Sequence, residues 1–129
     1  MADALLAAAR AAQAQAYCPY SGFAVGAALE AADGVIYAGC NLENAAFGLT
    51  LCAEQAAVAA AVTAGARRFH RLVVVSDAEP PATPCGACRQ ILREFGSELA
   101  IETIGPQSTQ RWTLAQLLPA AFGPDALNR

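Results

Sequence analysis

The residues with the most chemistry in this chain are three cysteines and a glutamate in two short motifs, Leu51-Cys52-Ala53-Glu54-Gln55 and, further along, Pro84-Cys85-Gly86-Ala87-Cys88-Arg89. Two cysteines three positions apart can form a redox pair, half of a zinc site, or part of a core. Each motif opens a predicted helix, so Cys52 and Cys85 stand at helix N-termini and Cys88 lies one turn beyond Cys85. Unpaired N–H groups at a helix N-terminus carry partial positive charge, which lowers a thiol's pKa and favours the thiolate that binds zinc. If the two helices lie side by side, the three sulfurs converge to about 4 Å and leave a fourth tetrahedral position open, as in a catalytic zinc site. A closed site with Cys18 or Cys40 as fourth ligand is the alternative. A redox role accounts poorly for the third cysteine. Glu54, two residues after Cys52, has two readings: an acid that favours the helix dipole, or a general acid-base group beside the metal.

The absences are as informative. All basic residues are Arg and the only histidine is His70, so Schiff-base and P-loop chemistry, which need Lys, are excluded. Any Ser-His or Cys-His catalysis would have to use His70, which is expected in a solvated connection between a helix and a strand. The five cysteines are an odd number without an export signal, so disulfides are not expected.

These motifs need elements to position them. Ala2 to about Ala16 reads as a helix ended by Cys18-Pro19-Tyr20-Ser21-Gly22. Phe23–Ala31 and Val35–Cys40 flank Ala32-Asp33-Gly34 and read as an antiparallel hairpin. Asn41–Leu51 has no period and is expected to be a loop feeding a helix from about Cys52 to Ala64, with Gly65 as its stop. Arg71–Ala78 reads as a strand buried on both faces, which Glu79–Pro84 cannot continue. A third helix follows over about Cys85–Phe95, then strands at Leu99–Ile104 and Gln110–Thr113 and a short helix over Leu114–Phe122. Strands alternating with helices predict an α/β fold, with residues 1–129 forming one domain.

With 56% hydrophobic residues, the chain is richer in apolar side chains than a small monomer needs, which predicts burial between subunits. A net charge of -3 and a pI near 5.0 argue against a nucleic-acid polymer as partner. No apolar run reaches the length of a membrane span and no signal peptide is visible, so a cytoplasmic location is expected.

Together "CAE" and "PCGAC" match the zinc nucleoside deaminase signature. With "YCPYSGFAVGAAL", "GCNLENAAFGLTLCAE", "PCGACRQIL" and "LLPAAFGPDAL", the chain resembles the small, homotetrameric cytidine deaminases over almost its whole length. The resemblance implies a three-layer α/β/α sandwich with a mixed five-stranded sheet. It implies one zinc ion per subunit on Cys52, Cys85 and Cys88, with Glu54 as the proton-transferring residue. It also implies Asn41 and Glu43 on the sugar, Phe23 against the pyrimidine, and Ala53 and Phe47 among the substrate contacts. Phe122 would reach into a neighbouring subunit's site. Cysteine rather than histidine at position 52 points to free nucleosides, so the expected activity is zinc-dependent hydrolysis of cytidine and 2′-deoxycytidine to the uridines and ammonia, in pyrimidine salvage.

Two positions depart from the family pattern. Gln55 stands where many relatives have an Arg that donates to the zinc thiolates. Three thiolates on Zn²⁺ leave a net charge near -1, and Gln55 can donate hydrogen bonds without offsetting it; Arg89 and the helix N-termini remain to do so, and zinc binding and activity are expected to persist. Phe47 replaces a common Tyr and lacks its hydroxyl, with substrate affinity the property expected to change. The competing readings are a deaminase of a cytosine nucleoside antibiotic, against which the intact Asn41-Leu42-Glu43-Asn44-Ala45 loop weighs, and a non-catalytic zinc protein of the same fold.

Overall fold

In the computed structural model, which describes residues 3–127, the Asp-Gly signal forms the first hairpin. Strand β1 (Gly26–Ala31) turns into β2 (Ile36–Cys40) through a hydrogen bond from Gly34 N to Ala31 O. Gly34 has a φ of 88°, the left-handed conformation that a three-residue hairpin loop needs at this point and that glycine adopts without strain. The sheet continues with β3 (Phe69–Val75), β4 (Ala100–Ile104) and β5 (Thr109–Thr113), in the order β2-β1-β3-β4-β5. Only β3 and β4 run parallel, so the sheet is mixed, and the crossover that a parallel pair requires is the segment carrying Cys85 and Cys88.

Alternation along the strands divides the core in two. Ala28, Val73, Val75 and Ile104 face helix α1 (Ala4–Gln13) through Leu5 and Ala9. On the other face, Ala27, Leu29, Leu72, Val74 and Ile101 meet Ala53, Ala57, Val58 and Ala61 of α2 (Ala53–Thr63) and Leu92 of α3 (Gly86–Arg93). The result is the expected three-layer α/β/α arrangement. Small residues set the layer spacing: a Cβ on Gly39 would lie 2.5 Å from Ala57 N and 2.7 Å from Ala53 O, so glycine there lets β2 approach the first turns of α2. On the α1 face of the sheet, Asp3 caps α1, accepting from Leu5 N at 3.1 Å, and pairs with Arg71 of β3, which also bonds Glu102 of β4 at 2.7 Å.

Several boundaries differ from expectation. The first helix ends at Gln13, about three residues early, and its expected start at Ala2 lies outside the described residues. The β3 strand begins at Phe69, so exposed His70 is a strand residue and not part of a connection. The last helix is one turn, α4 (Leu114–Leu117), capped by Thr113. Pro119 cannot continue it, and Ala120 takes a φ of 52°, turning the chain into a short 3-10 segment at Pro124–Ala126. Among the described residues, no helix is long and apolar enough to cross a membrane.

Candidate active site

The loop before α2 is built to deliver Cys52. Leu42 and Leu51 exchange backbone hydrogen bonds of 3.0 and 2.9 Å, and Tyr17 N and O bond Asn41 O and Glu43 N. This short ladder ends at Cys52, the N-cap of α2 in extended conformation. Cys85 is likewise the N-cap of α3. Buried Pro84 precedes it, and a proline holds its neighbours out of the helix until the cap is reached.

The three sulfurs meet as the spacing predicts. Cys52 Sγ lies 3.8 Å from Cys85 Sγ, Cys85 Sγ lies 3.4 Å from Cys88 Sγ, and all three are within 4.8 Å of one another. Tetrahedral zinc with Zn–S bonds of about 2.3 Å separates its sulfurs by about 3.8 Å, so the donor set fits zinc in both chemistry and spacing. Neither Cys18 nor Cys40 belongs to the cluster among the described residues, leaving a fourth direction without a thiol. A hydrogen bond from Cys88, opposed by burial and helped by Cys85, pulls the Cys52 thiol down to about 6. Cys88 is pushed up by the same hydrogen bond, by burial and by the Glu54 charge.

Glu54 shares the buried stripe of α2 with Ala57, Val58 and Ala61 and is 5% exposed. Burial raises its carboxyl to about 7, opposed by its own backbone N–H and reinforced by the Cys52 charge. A carboxylate on a core-facing stripe costs stability, which its favourable place near a helix N-terminus alone does not explain. Glu54 instead lines a cavity of about 210 Å³ together with Cys52, Cys85, Phe23, Asn41 and Ala53. Two of the thiols, the carboxylate and three of the expected substrate contacts thus face one space, with Cys88 buried behind it.

The remaining expected residues are elsewhere. Glu43 and Phe47 line an adjoining depression of about 380 Å³ that shares Thr50 with the first. Glu43 Oε1 accepts from Tyr20 N at 2.9 Å and Ser21 N at 3.1 Å, and its Oε2 accepts from the Ser21 hydroxyl. Asn41 is similarly engaged, accepting from Val25 N at 2.9 Å and donating to Phe23 O at 2.7 Å. Both therefore shape the wall through the turn at residues 20–25. Phe122 lines neither space and is 61% exposed. Gln55, expected to donate toward the thiolates, accepts from Cys52 N through Oε1 at 3.1 Å, a helix-capping contact.

Thr50 and Thr83, which also line the cavity, were not singled out in the sequence. Thr83 sits one residue from the Pro-Cys motif, and Thr50 two before Cys52, so proximity to the ligands was the available signal.

The family model described as "Cytidine and deoxycytidylate deaminase zinc-binding region" matches residues 1–103. The chain belongs to that family. It is 48% identical over 128 residues to a cytidine deaminase from Sporosarcina psychrophila, covering 98% of this chain and 94% of that one. It is 50% identical over 119 residues to the Mycobacterium tuberculosis cytidine deaminase, covering 92% and 86%. The crystal structure of the Burkholderia pseudomallei cytidine deaminase superposes with a TM-score of 0.89 at 44% identity, covering 95% of this chain and all of that one. Membership in a zinc-binding deaminase family, with three thiols at zinc-binding separation, makes zinc the cofactor.

Proposed function

We propose that the chain hydrolyses cytidine and 2′-deoxycytidine to uridine and 2′-deoxyuridine with release of ammonia. The observation that carries this reading is a buried carboxylate, Glu54, lining the same cavity as Cys52 and Cys85 in a chain of the cytidine deaminase family. Cys52, Cys85 and Cys88 hold zinc, which when bound supplies Lewis-acid activation of water. Glu54 Oε accepts a proton from the attacking water and delivers it to N3 of the cytosine ring, making C4 electrophilic. After addition at C4, the carboxylate takes the remaining proton from the new C4 hydroxyl and passes it to the amine, which leaves as ammonia when the C4–N bond breaks and C4=O forms, so one group handles each proton in turn. Phe23, Val25, Val74 and Ala82 give the cavity an apolar side against which the pyrimidine ring packs.

Asn41 and Glu43 hold the sugar, with Ala53 and Phe23 on the base and Phe47 beside the adjoining depression. The hydrogen bonds that Asn41 and Glu43 make to residues 20–25 leave further lone pairs on their oxygens for a hydroxyl. Phe122 completes the site of a neighbouring subunit in a homotetramer. Support for assembly comes from the exposure of Tyr17, Tyr20, Phe47, Leu49, Leu51 and Phe122, a set that a soluble monomer rarely presents. Residues 1–129 act as one catalytic domain in cytoplasmic pyrimidine salvage, taking a free nucleoside rather than a nucleic acid.

The test is direct: the zinc-loaded protein is incubated with cytidine, and uridine and ammonia are measured. Equimolar formation of both is expected. A zinc-replete protein that forms neither contradicts the proposal.

A further inference from the structure

Arg89 follows the last of the three cysteines, and every bond of its guanidinium reaches back to the loop that carries the site or across to the C-terminal segment. Nε donates to Pro84 O at 2.7 Å, Nη2 to Thr83 Oγ1 at 3.1 Å, and Nη1 to Leu117 O in α4 at 2.7 Å. Its backbone N–H closes the first turn of α3 on Cys85 O at 2.9 Å. One residue therefore holds Thr83, Pro84 and Cys85 in succession. No carboxylate among the described residues is within ion-pair distance of it, and its guanidinium bonds go to neutral oxygens, not directly to the thiols whose charge it was expected to offset.

The loop needs such a fastening. Pro84 O is the last carbonyl before the helix, at a residue whose side chain is fully buried, and an unpaired buried carbonyl is costly. Pro84 has no N–H with which to hold itself in place. The planar fork of arginine reaches three acceptors in fixed directions, which a lysine ammonium on a flexible stem does not reproduce. Farther along the same helix, Gln90 Nε2 donates to Phe122 O at 2.9 Å and Arg93 pairs with Asp125 at 3.2 Å. The C-terminal segment is thus fastened at successive points to the helix whose first turn carries two of the thiols.

We propose that Arg89 is a positioning residue of the thiol site: it ties the backbone before Cys85 to α4 and holds Cys85 and Cys88 at metal-binding separation from Cys52. Zinc retention then depends on the docking of α4, although α4 contributes no ligand. The proposal rests on the reading of Cys52, Cys85 and Cys88 as zinc ligands. Loss of an outer-shell partner of a metal site commonly lowers metal affinity about 10- to 100-fold.

The experiment follows zinc release from the full-length protein to an excess of a chromophoric chelator, comparing the parent with Arg89→Met and Arg89→Lys. Cobalt(II) absorption is recorded as a readout of ligand geometry, and Asp3→Ala serves as a control whose stability loss arises at the opposite face of the sheet. Arg89→Met is expected to release zinc at least about tenfold faster and to alter the cobalt spectrum, with Arg89→Lys intermediate and Asp3→Ala at the parental rate. If Arg89→Met does not fold, the Arg89→Lys rate decides. A parental release rate and cobalt spectrum in the Arg89 variants, or equal acceleration in Asp3→Ala, overturns the proposal. A parent that binds no zinc overturns the ligand assignment itself, an outcome distinct from failure of the Arg89 proposal alone.

Discussion

Gly39→Ala is expected to damage the metal site from outside it. The added Cβ would lie 2.5 Å from Ala57 N, 2.7 Å from Ala53 O and 2.7 Å from the Ala56 Cβ. Ordinary contacts of this kind begin near 3.5 Å, so α2 must retreat from β2 by about 1 Å. Two of the opposing atoms are backbone, which leaves no side chain to rotate away, and the cost falls toward the upper end of the overpacking range, about 2 to 3 kcal/mol. For a chain of this length, that lowers Tm by about 7 to 11 °C. The displaced turn carries Ala53 and adjoins Cys52, so its sulfur shifts by a similar distance against a Cys52–Cys85 separation of 3.8 Å. Zinc affinity, read by chelator competition, is expected to fall at least about tenfold. Gly48→Ala is the control, since a Cβ there meets nothing within 4 Å; its Tm should stay within about 2 °C of the parent. A Gly39→Ala protein that melts and holds zinc as the parent does would refute the claim that β2 and α2 together set the sulfur positions.

Thiol titration offers a second check. All five cysteines should react in the unfolded metal-free chain, and zinc should protect Cys52, Cys85 and Cys88 while Cys18 and Cys40 continue to react. Protection of a fourth thiol contradicts the open site. Phe122→Ala should raise KM more than it lowers kcat, by about 5- to 150-fold if the ring stacks on a base. Full activity in a stable monomer, read by light scattering and steady-state kinetics together, rules out the shared site. Asp3→Ala should cost about 1 kcal/mol of stability at neutral pH through loss of the α1 cap. Burial opposes ionisation of Asp3, but hydrogen bonds from Arg71 and Leu6 N outweigh it and hold its carboxyl below the ordinary value. The ionised group's contribution is therefore present above the unfolded carboxyl pKa and fades as pH falls through the folded one, so acid titration of Tm should bring parent and variant together. A gap that widens in acid contradicts this.

How far the sequence reveals this depends on the range of the interactions involved. The placement of Cys52 and Cys85 at helix N-termini is local, written in the aperiodic loop before α2 and in Pro84 before α3, and the structure has both cysteines as N-caps. The hairpin at Asp33-Gly34 is equally local. The strand order is not, because nothing within Phe69–Val75 records that it lies between β1 and β4. The final helix is shorter than its sequence suggests because "LAQLLPAAF" keeps an apolar helical character past Leu117, while Pro119 and the turn at Ala120 end it. The engagements of Asn41, Glu43 and Gln55 depend on whether an acceptor goes to a ligand or to a nearby N–H, which residue type alone does not specify. Glu54 was more legible than its two competing readings implied: its spacing from Ala57, Val58 and Ala61 places a carboxylate on an otherwise apolar face.

The central claim is that this buried carboxylate moves the protons of the reaction. It is tested most directly by kcat for cytidine in Glu54→Gln against the parent, with zinc occupancy measured and equal. A fall of at least about 100-fold is predicted, the lower end of what general acid-base catalysis contributes. A variant that keeps its zinc and turns over cytidine within about tenfold of the parent contradicts the account, since proton transfer would then need only a modest part of its barrier lowered by Glu54.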